Sequence, residues 1–255
     1  MMKYVVAFLC LVSTAISNAA EPISPFSASE AIDLTHPMHN DMPFWPGGVP
    51  FKKEALVTHE NGGYLLHKFS MGENTGTHVD APIHFIKNRS TIEDIPLSSL
   101  IVPVVVIDAR KQVMGNPDYQ LSVEDLKQWE SEHGTIPKKS LFVMNTGWHT
   151  RFNSPEQYIN MDKNNVMHFP GYSPEAAAML VDRGVTGIGI DTLSLDHGPS
   201  QSFATHIVML KAGKYQIENM ANLTALPPKG ATVIIGVLPI QGGSQAQARI
   251  LALLP

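Results

Sequence analysis

Three side chains that can bind a metal ion lie close together near the start of the second quarter of the chain. His78, Asp80 and His84 are separated by even numbers of residues in the stretch GTHVDAPIHF. In an extended chain, even spacing places side chains on one face. Imidazole and carboxylate groups that converge in this way bind divalent ions such as zinc or manganese. The spacing therefore predicts a metal site. The alternative, for any one of the eleven histidines, is a structural or surface role.

Several other kinds of chemistry are excluded by the sequence. The chain has no GxGxxG, P-loop, GxSxG or HExxH motif, so the common nucleotide, serine-hydrolase and zincin signatures are missing. Its single cysteine, Cys10, lies in a segment that we expect to be removed. The mature chain then has neither a disulfide nor a thiolate nucleophile. Any metal must be held by histidine, carboxylate or amide oxygen.

The first nineteen residues have the pattern of a signal peptide. Lys3 precedes an apolar run that extends to about Val12, and Ser17 and Ala19 provide the small residues needed for cleavage after Ala19. The apolar run is short for a membrane span, although an uncleaved anchor helix is the alternative. We therefore expect a mature domain at 20–255 that is periplasmic or secreted and free of the membrane after cleavage.

Composition and charge favour a globular protein that acts on small molecules. The 255 residues are 44% hydrophobic and 16% charged, which is enough apolar material for a sizeable core. No linker-like stretch divides the chain, so one domain is expected. The formal net charge of −5 provides no basic surface for phosphate backbones, and we expect no nucleic-acid partner.

The secondary-structure pattern predicts a mixed α/β domain with few helices. Short β-branched runs predict four buried strands, at 101–109, 141–145, 185–191 and 232–239. Helices are expected after two N-cap candidates, Ser122 and Ser173, and the second should end at Gly184. With only two clear helices, much of the sheet should be antiparallel. The Pro- and Gly-rich stretch 37–51 predicts an irregular loop of the kind that often lines a site.

The stretch that contains His78, Asp80 and His84 resembles the signature of a known family. GTHVDAPIHF is similar to the signature His-x-Gly-Thr-His-x-Asp-x-Pro-x-His of the cyclase family of metal-dependent hydrolases, which includes bacterial kynurenine formamidase and isatin hydrolase. The resemblance covers essentially all of the mature chain and implies a swivelling β/β/α-like fold. Four further stretches agree in order along the chain: IDLTHPMHNDMPFWPG, GIDTLSLDHG, THIVMLKAGKYQIENMANL and LPIQGGSQAQARILAL.

The resemblance also implies roles for individual residues. His78 and Asp80 would be metal ligands, and His206 and Glu218 would complete a second or shared metal site. His84 would donate and accept protons. Trp45 would lie against the substrate. Apart from the resemblance, the aromatic rings of Phe44 and Phe51 nearby are further candidates for contact with a planar substrate. Three residues are candidates for orienting the ligands: Asp191, Asp196 and His197.

One position departs from the family pattern. The first histidine of the signature is replaced by Asn74, and an amide oxygen is a harder, weaker ligand than imidazole. Asn74 either coordinates through its oxygen, which favours manganese or magnesium over zinc, or leaves one of two metal positions weak or empty. A family member that has lost catalysis is a third possibility. We expect one or two ions of zinc or manganese.

The expected reaction is metal-assisted hydrolysis of an aromatic amide. A metal-activated water needs no side-chain nucleophile, in agreement with the lack of a mature cysteine and of a serine elbow. N-formylkynurenine, an intermediate of tryptophan catabolism, and isatin both fit an arylformamidase or isatin-hydrolase type of enzyme. The alternatives are hydrolysis of another cyclic amide or lactone, and a non-catalytic periplasmic binding protein. We also expect a homodimer or higher homo-oligomer.

Overall fold

The computed structural model describes residues 31–254, so the expected signal peptide and Cys10 lie outside the described residues. The strands are β1 (Ala31–Asp33), β2 (Lys52–Val57), β3 (Leu66–Ser70), β4 (His78–Asp80), β5 (Ile101–Asp108), β6 (Gln120–Leu121), β7 (Leu141–Asn145), β8 (Gly171–Tyr172), β9 (Gly187–Ile190), β10 (Tyr215–Glu218), β11 (Thr232–Val237) and β12 (Gln245–Leu253). The α-helices are α1 (His59–Gly62), α2 (Arg110–Gly115), α3 (Val123–His133), α4 (Pro155–Ile159), α5 (Pro174–Arg183) and α6 (Ala204–Lys211). Short 3-10 turns occur at Pro82–His84, Ile92–Asp94, Leu97–Ser99, Trp148–Arg151 and Leu223–Ala225.

Eight strands form one sheet that closes on itself. The order is β1-β12-β11-β5-β7-β9-β10-β4, and β4 also pairs with β12. Strands β5, β7, β9 and β10 run parallel to one another, whereas all pairings that involve β1, β4, β11 or β12 are antiparallel. Closure is possible because β12 is long: its first residues pair with β4, and its last residues pair with β1. The predicted mixed sheet with a large antiparallel part is confirmed.

The two faces of the sheet contribute to two different apolar clusters. On β5, Val104 and Val106 belong to the cluster enclosed by the closed sheet, and the alternating Val105 and Ile107 belong to the cluster beneath the helices. This alternation follows from the period of two in a strand. Each fully buried aliphatic side chain contributes about 1.5–3 kcal/mol to stability. A strand buried on both faces is therefore continuously hydrophobic, which explains why these runs are visible in the sequence.

Both predicted helices form with the expected caps. The hydroxyl of Ser122 accepts a hydrogen bond from the backbone N–H of Asp125 at the start of α3, and Ser173 caps α5 in the same way. Helix α5 ends at Gly184, whose φ of 78° lies in the left-handed region that glycine tolerates. Helices α3 and α5 cover the outer face of the parallel strands. No helix within residues 31–254 is long and apolar enough to cross a membrane.

The predicted extended chain from His78 to His84 is only partly correct. Strand β4 ends at Asp80, and a 3-10 turn follows at Pro82–His84. Pro82 favours this turn because its fixed φ suits the first position of a helical turn. His78 and Asp80 therefore share a strand face as expected, but His84 reaches the same region through the turn and not by alternation.

Candidate metal and substrate site

The site lies where the sheet closes. In β4, Val79 belongs to the enclosed core, so His78 and Asp80 project from the opposite, outer face. The antiparallel pairing of β10 with β4 sets Glu218 directly opposite His78. Helix α6 contributes His206 from above this face. Strand pairing and one short helix thus bring together four side chains that are up to 140 positions apart in the sequence.

The four side chains form a closed set of contacts. His78 Nε2 lies 3.2 Å from Asp80 Oδ1 and 3.4 Å from Glu218 Oε2. His206 Nε2 lies 3.5 Å from Asp80 Oδ2 and 3.1 Å from Glu218 Oε1. All four residues are buried. Each carboxylate therefore faces both imidazole rings through different oxygens, and the two Nε2 atoms point towards a common centre.

Hydrogen bonds behind the rings fix their orientation. Nδ1 of His78 donates to the carbonyl oxygen of Gly76 at 2.8 Å, and Nδ1 of His206 donates to Asp196 Oδ2 at 2.7 Å. With Nδ1 engaged in this way, Nε2 is the nitrogen left to bind a cation.

Of the three residues expected to orient the ligands, only Asp196 contacts a ligand ring in this way. Asp191 instead accepts from His149 Nδ1, and the carbonyl of His197 accepts from the backbone of Ser200.

Buried carboxylates raise the pKa values of the two imidazole rings in the cluster. Burial disfavours a charged imidazole, but Asp80 and Glu218 outweigh it and raise the pKa of His78 to about 10. Against the same burial, Asp196, Asp80 and Glu218 raise the pKa of His206 well above its ordinary value. The pKa of Asp80 is lowered by His206 and His78 in spite of its burial. Two buried carboxylates therefore require positive charge between them, and a divalent ion can provide it in place of two protons.

The residues present fit a divalent metal ion. Asp80 Oδ2 is shielded from solvent and has no hydrogen-bond partner within residues 31–254, which is costly for a buried carboxylate oxygen. Two imidazole nitrogens and two carboxylates are ligands that zinc and manganese both accept. Two overlapping groups offer ligand atoms within 4.8 Å of one another: His78, Asp80 and Glu218, and Asp80, His84 and His206.

His84 stands at the edge of this cluster. Its ring centroid lies 6.1 Å from that of His206, and its side chain lines a cavity of about 190 Å³ that opens beside Glu218. Burial lowers the pKa of His84, so its ring is neutral near pH 7 and has a lone pair available. The position suits proton transfer to and from a group bound in the cavity.

Aromatic rings form the walls of the same cavity. The ring centroids of Trp45 and Phe203 lie 6.1 Å apart, and those of Phe85 and Phe203 lie 5.4 Å apart. Phe203 has a φ of 49°, an uncommon conformation for a bulky residue, at the position just before α6. Three rings beside a charged cluster give the cavity one apolar side suited to a planar group and one polar side suited to chemistry.

The remaining candidate residues differ in whether they line the cavity. Trp45 lies in the predicted irregular loop and lines the cavity as expected, and Asn74 lines it too. Phe44 lines a separate cavity of about 310 Å³, and Phe51 is buried in the core, so the expectation that these two rings join the site is wrong.

Gln245, which the sequence did not predict, also contacts the cluster. Its Nε2 donates to Asp80 Oδ1 at 2.8 Å, a contact created by the pairing of β12 with β4.

Four residues that line the cavity were not predicted from the sequence, namely Phe85, Ser194, Phe203 and Gln245. Phe85 follows His84 directly and could have been proposed from that position. Ser194 and Gln245 lie in two of the further stretches that resemble the family, GIDTLSLDHG and LPIQGGSQAQARILAL, but their side-chain types alone indicate no role. Phe203 lies outside all of these stretches.

Comparison with known proteins gives consistent matches. The Cyclase family model matches residues 32–197. Isatin hydrolase from Roseibium aggregatum is 33% identical over 193 residues, covering 72% of this chain and 73% of that protein. Kynurenine formamidase from Bacillus mycoides is 28% identical over 193 residues, covering 75% and 82% respectively. A solved isatin hydrolase bound to the product analogue thioisatinate has a TM-score of 0.85 at 30% identity, over 89% of this chain and 92% of that one. The family resemblance and the cyclase-family fold are confirmed.

Proposed function

Because the chain belongs to the Cyclase family, we propose that it is a metal-dependent hydrolase of aromatic amides. One observation carries the proposal: the cavity lined by Trp45, Phe85 and Phe203 opens directly onto His84, His206 and Glu218. An aromatic group held by the rings places an attached carbonyl next to the charged cluster. Similarity to isatin hydrolase and kynurenine formamidase supports the same class of substrate.

The metal would be held by His78, Asp80, His206 and Glu218. Asn74 and Gln245 provide amide groups at the rim. We propose zinc or manganese, since the donor set of imidazole and carboxylate suits both. A divalent cation bound there supplies Lewis acidity, which polarises a carbonyl and makes water acidic enough to react near neutral pH.

The protein's own residues supply the proton transfers. The neutral ring of His84 accepts a proton from the attacking water and returns it to the amide nitrogen as the carbon–nitrogen bond breaks. The proton count is balanced: water supplies the hydroxyl of the new carboxylic acid and the proton on the leaving amine, and the acid then releases its own proton to solvent. The intact set of charged groups argues against the alternative of a non-catalytic binding protein.

The aromatic walls position the substrate. Phe85 and Phe203 pack edge-on or tilted against His206, with centroid distances of 4.9 and 5.7 Å. A planar substrate that stacks in this space excludes water from the carbonyl side and restricts its orientation. Isatin and N-formylkynurenine are both ortho-substituted anilides that meet this requirement. The higher identity to isatin hydrolase favours isatin as the first substrate to test.

The test is turnover by the metal-loaded protein. Purified protein is loaded with zinc or manganese and assayed with isatin, N-formylkynurenine and, as a non-aromatic control, formamide. Hydrolysis of an aromatic amide that is lost with a chelator and restored by metal supports the proposal. A fully loaded protein that leaves both aromatic amides intact contradicts it.

The metal site has its own control pair. We expect His78→Ala to lose stoichiometric metal by elemental analysis, because it removes a buried ligand and leaves the facing carboxylates unpaired. His168→Ala is the matched control. His168 is also paired with an aspartate, Asp118, but at a partly exposed position that does not belong to the cluster. Equal metal content in wild type and His78→Ala would contradict the assignment of the ligands.

We further propose that the protein acts outside the cytoplasm, on the basis of the signal-peptide pattern in residues 1–19. Export favours the removal of an external indole derivative over routine tryptophan breakdown. Amino-terminal sequencing of protein recovered from the periplasm tests this. A mature chain that begins at residue 20 supports the proposal, and a cytoplasmic chain that retains Met1 contradicts it.

A homodimer is the proposed oligomeric state. The β2–β3 hairpin is exposed along both strands, and a lone two-stranded hairpin is only marginally stable in water. It carries large apolar side chains that are more than half exposed, namely Leu56, Tyr64, Leu65 and Phe69. A second copy of the chain would cover them. Sedimentation of wild type and Phe69→Glu tests this: we expect a dimer that dissociates in the variant, and a monomeric wild type would contradict it.

A further inference from the structure

Ser194 presents an unused hydroxyl to the active-site cavity. It lies in the segment between β9 and α6, where its neighbours Leu193 and Leu195 are buried in the apolar core. Ser194 is only 3% exposed, and its Oγ has no hydrogen-bond partner within residues 31–254. Its side chain lines the cavity together with His206 and Glu218. A buried hydroxyl without a partner costs about 1–3 kcal/mol, so an uncompensated one calls for an explanation.

The backbone around Ser194 is held on both sides. The carbonyl oxygen of Ser194 accepts a hydrogen bond from Thr192 Oγ1 at 2.8 Å. The next backbone N–H, that of Leu195, donates to Glu218 Oε1 at 3.1 Å. The carbonyl of Thr192 accepts from the backbone of Asn219 at 2.9 Å, which ties the segment to the end of β10. The backbone that carries the hydroxyl is therefore fixed relative to the charged cluster before any substrate binds.

We propose that the Ser194 hydroxyl donates a hydrogen bond to the oxygen of the substrate carbonyl that is under attack. This inference rests on the proposed amide hydrolysis. Negative charge develops on that oxygen in the transition state, and a donor that is already in place stabilises it at no reorganisation cost. Ser194 keeps its proton throughout: water adds to the carbon, the carbon–nitrogen bond breaks, and His84 carries the proton to nitrogen. No bond forms to the serine oxygen.

The contacts of Ser194 agree with a donor and not with a nucleophile. No imidazole within the described residues accepts a hydrogen bond from its Oγ, so no base is in place to activate it. Its backbone neighbour touches Glu218, which places the hydroxyl beside the cluster that polarises the carbonyl. The acceptor it lacks within the protein is supplied by the bound substrate.

The experiment compares Ser194→Ala with wild type, both loaded with metal. Measured quantities are kcat and KM on the aromatic amide that the wild type hydrolyses, metal content, and the midpoint of thermal unfolding. We expect kcat to fall by about a hundredfold with a small change in KM, because the hydrogen bond strengthens only in the transition state. Metal content should equal that of wild type. The unfolding midpoint should be equal or higher, since a hydroxyl without a partner is removed.

Ser140→Ala is the matched control. Ser140 is equally buried, but its hydroxyl donates to the carbonyl of Pro137 at 2.7 Å, at the start of β7. We expect this variant to unfold at a lower temperature and to keep its kcat, which is the opposite pattern. A structural role for Ser194 would give the same pattern as Ser140.

The outcomes separate the two proposals. If wild type is active and Ser194→Ala has the same kcat, the role of Ser194 is wrong and the proposed function stands. If KM alone rises, the hydroxyl binds another part of the substrate and the assignment to the reacting carbonyl is overturned. If metal-loaded wild type hydrolyses neither aromatic amide, the proposed function fails and the inference fails with it.

Discussion

The carboxylate of Asp196 both orients the ring of His206 and caps the helix that carries it. Oδ2 accepts from His206 Nδ1 at 2.7 Å, and the backbone N–H groups of Thr205 and His206 donate to Oδ1 and Oδ2 at 2.9 and 3.2 Å. The first turn of α6 and the tautomer of one ligand therefore depend on the same side chain. A carboxylate at a helix N-terminus is also favoured by the helix dipole.

Asp196→Asn is expected to weaken metal binding by about ten- to a hundredfold, because the ring of His206 loses its negatively charged partner. Titration calorimetry with zinc or manganese measures the change. The control is Asp118→Asn, which alters an aspartate that also pairs with a histidine, His168, at a partly exposed position outside the cluster. Unchanged affinity in Asp196→Asn would show that the orientation of His206 does not depend on this carboxylate.

Asn74→His is expected to tighten metal binding by about tenfold or more. Imidazole is a better donor than an amide oxygen for zinc, and the change restores the first histidine of the family signature. Metal dissociation constants of the two proteins decide the matter, with manganese expected to gain less than zinc. Equal constants would place residue 74 outside the ligand shell, in agreement with a position on the cavity wall only.

The sequence predicted best those parts of the fold that local signals determine. Helices α3 and α5 have serine caps, and strands β5 and β7 have apolar runs with turn residues at their ends. Helix α6 was not predicted. It begins after Phe203 without a local side-chain cap, because its cap, Asp196, lies several residues earlier in a separate segment.

The residues of the candidate site also differ in how they could be predicted from the sequence. His78 and Asp80 could be found from spacing within one strand. His206 and Glu218 required the family resemblance, since strand pairing and α6 bring them to β4 from distant parts of the chain. Neither the spacing nor the family resemblance indicated a role for Gln245, because its contact with Asp80 depends on the closure of the sheet by β12.

His36 is expected to make the protein sensitive to acid. Its ring stacks on Phe152 at a centroid distance of 3.7 Å, and its Nε2 has no hydrogen-bond partner within the described residues. Burial, together with the charge of His149, lowers the pKa of His36 to about 4, whereas the unfolded chain titrates near 6.5. The unfolded state therefore binds more protons, so this stabilisation is complete above pH 6.5 and is lost as pH falls towards 4.

His36→Phe should remove this part of the acid destabilisation, which amounts to at most about 3 kcal/mol. Free energies of unfolding in urea, measured between pH 7 and pH 4.5, give the comparison. The variant should show a flatter dependence on pH than wild type. His67→Gln, on the exposed strand β3, is the control and should follow wild type. Parallel curves for His36→Phe and wild type would contradict the assignment.

His84→Ala is expected to lose hydrolysis and to keep its metal. The turn at Pro82–His84 carries the ring to the edge of the cluster, where it lines the substrate cavity. Proton transfer of the kind proposed for it contributes about 10²–10⁴-fold to the rate, so kcat should fall by that amount. Elemental analysis of the same preparation distinguishes this role from coordination, because His84 also forms a group of potential ligands with Asp80 and His206. A variant that loses its metal together with its activity would make His84 a ligand, and one that retains the wild-type rate would remove it from the mechanism.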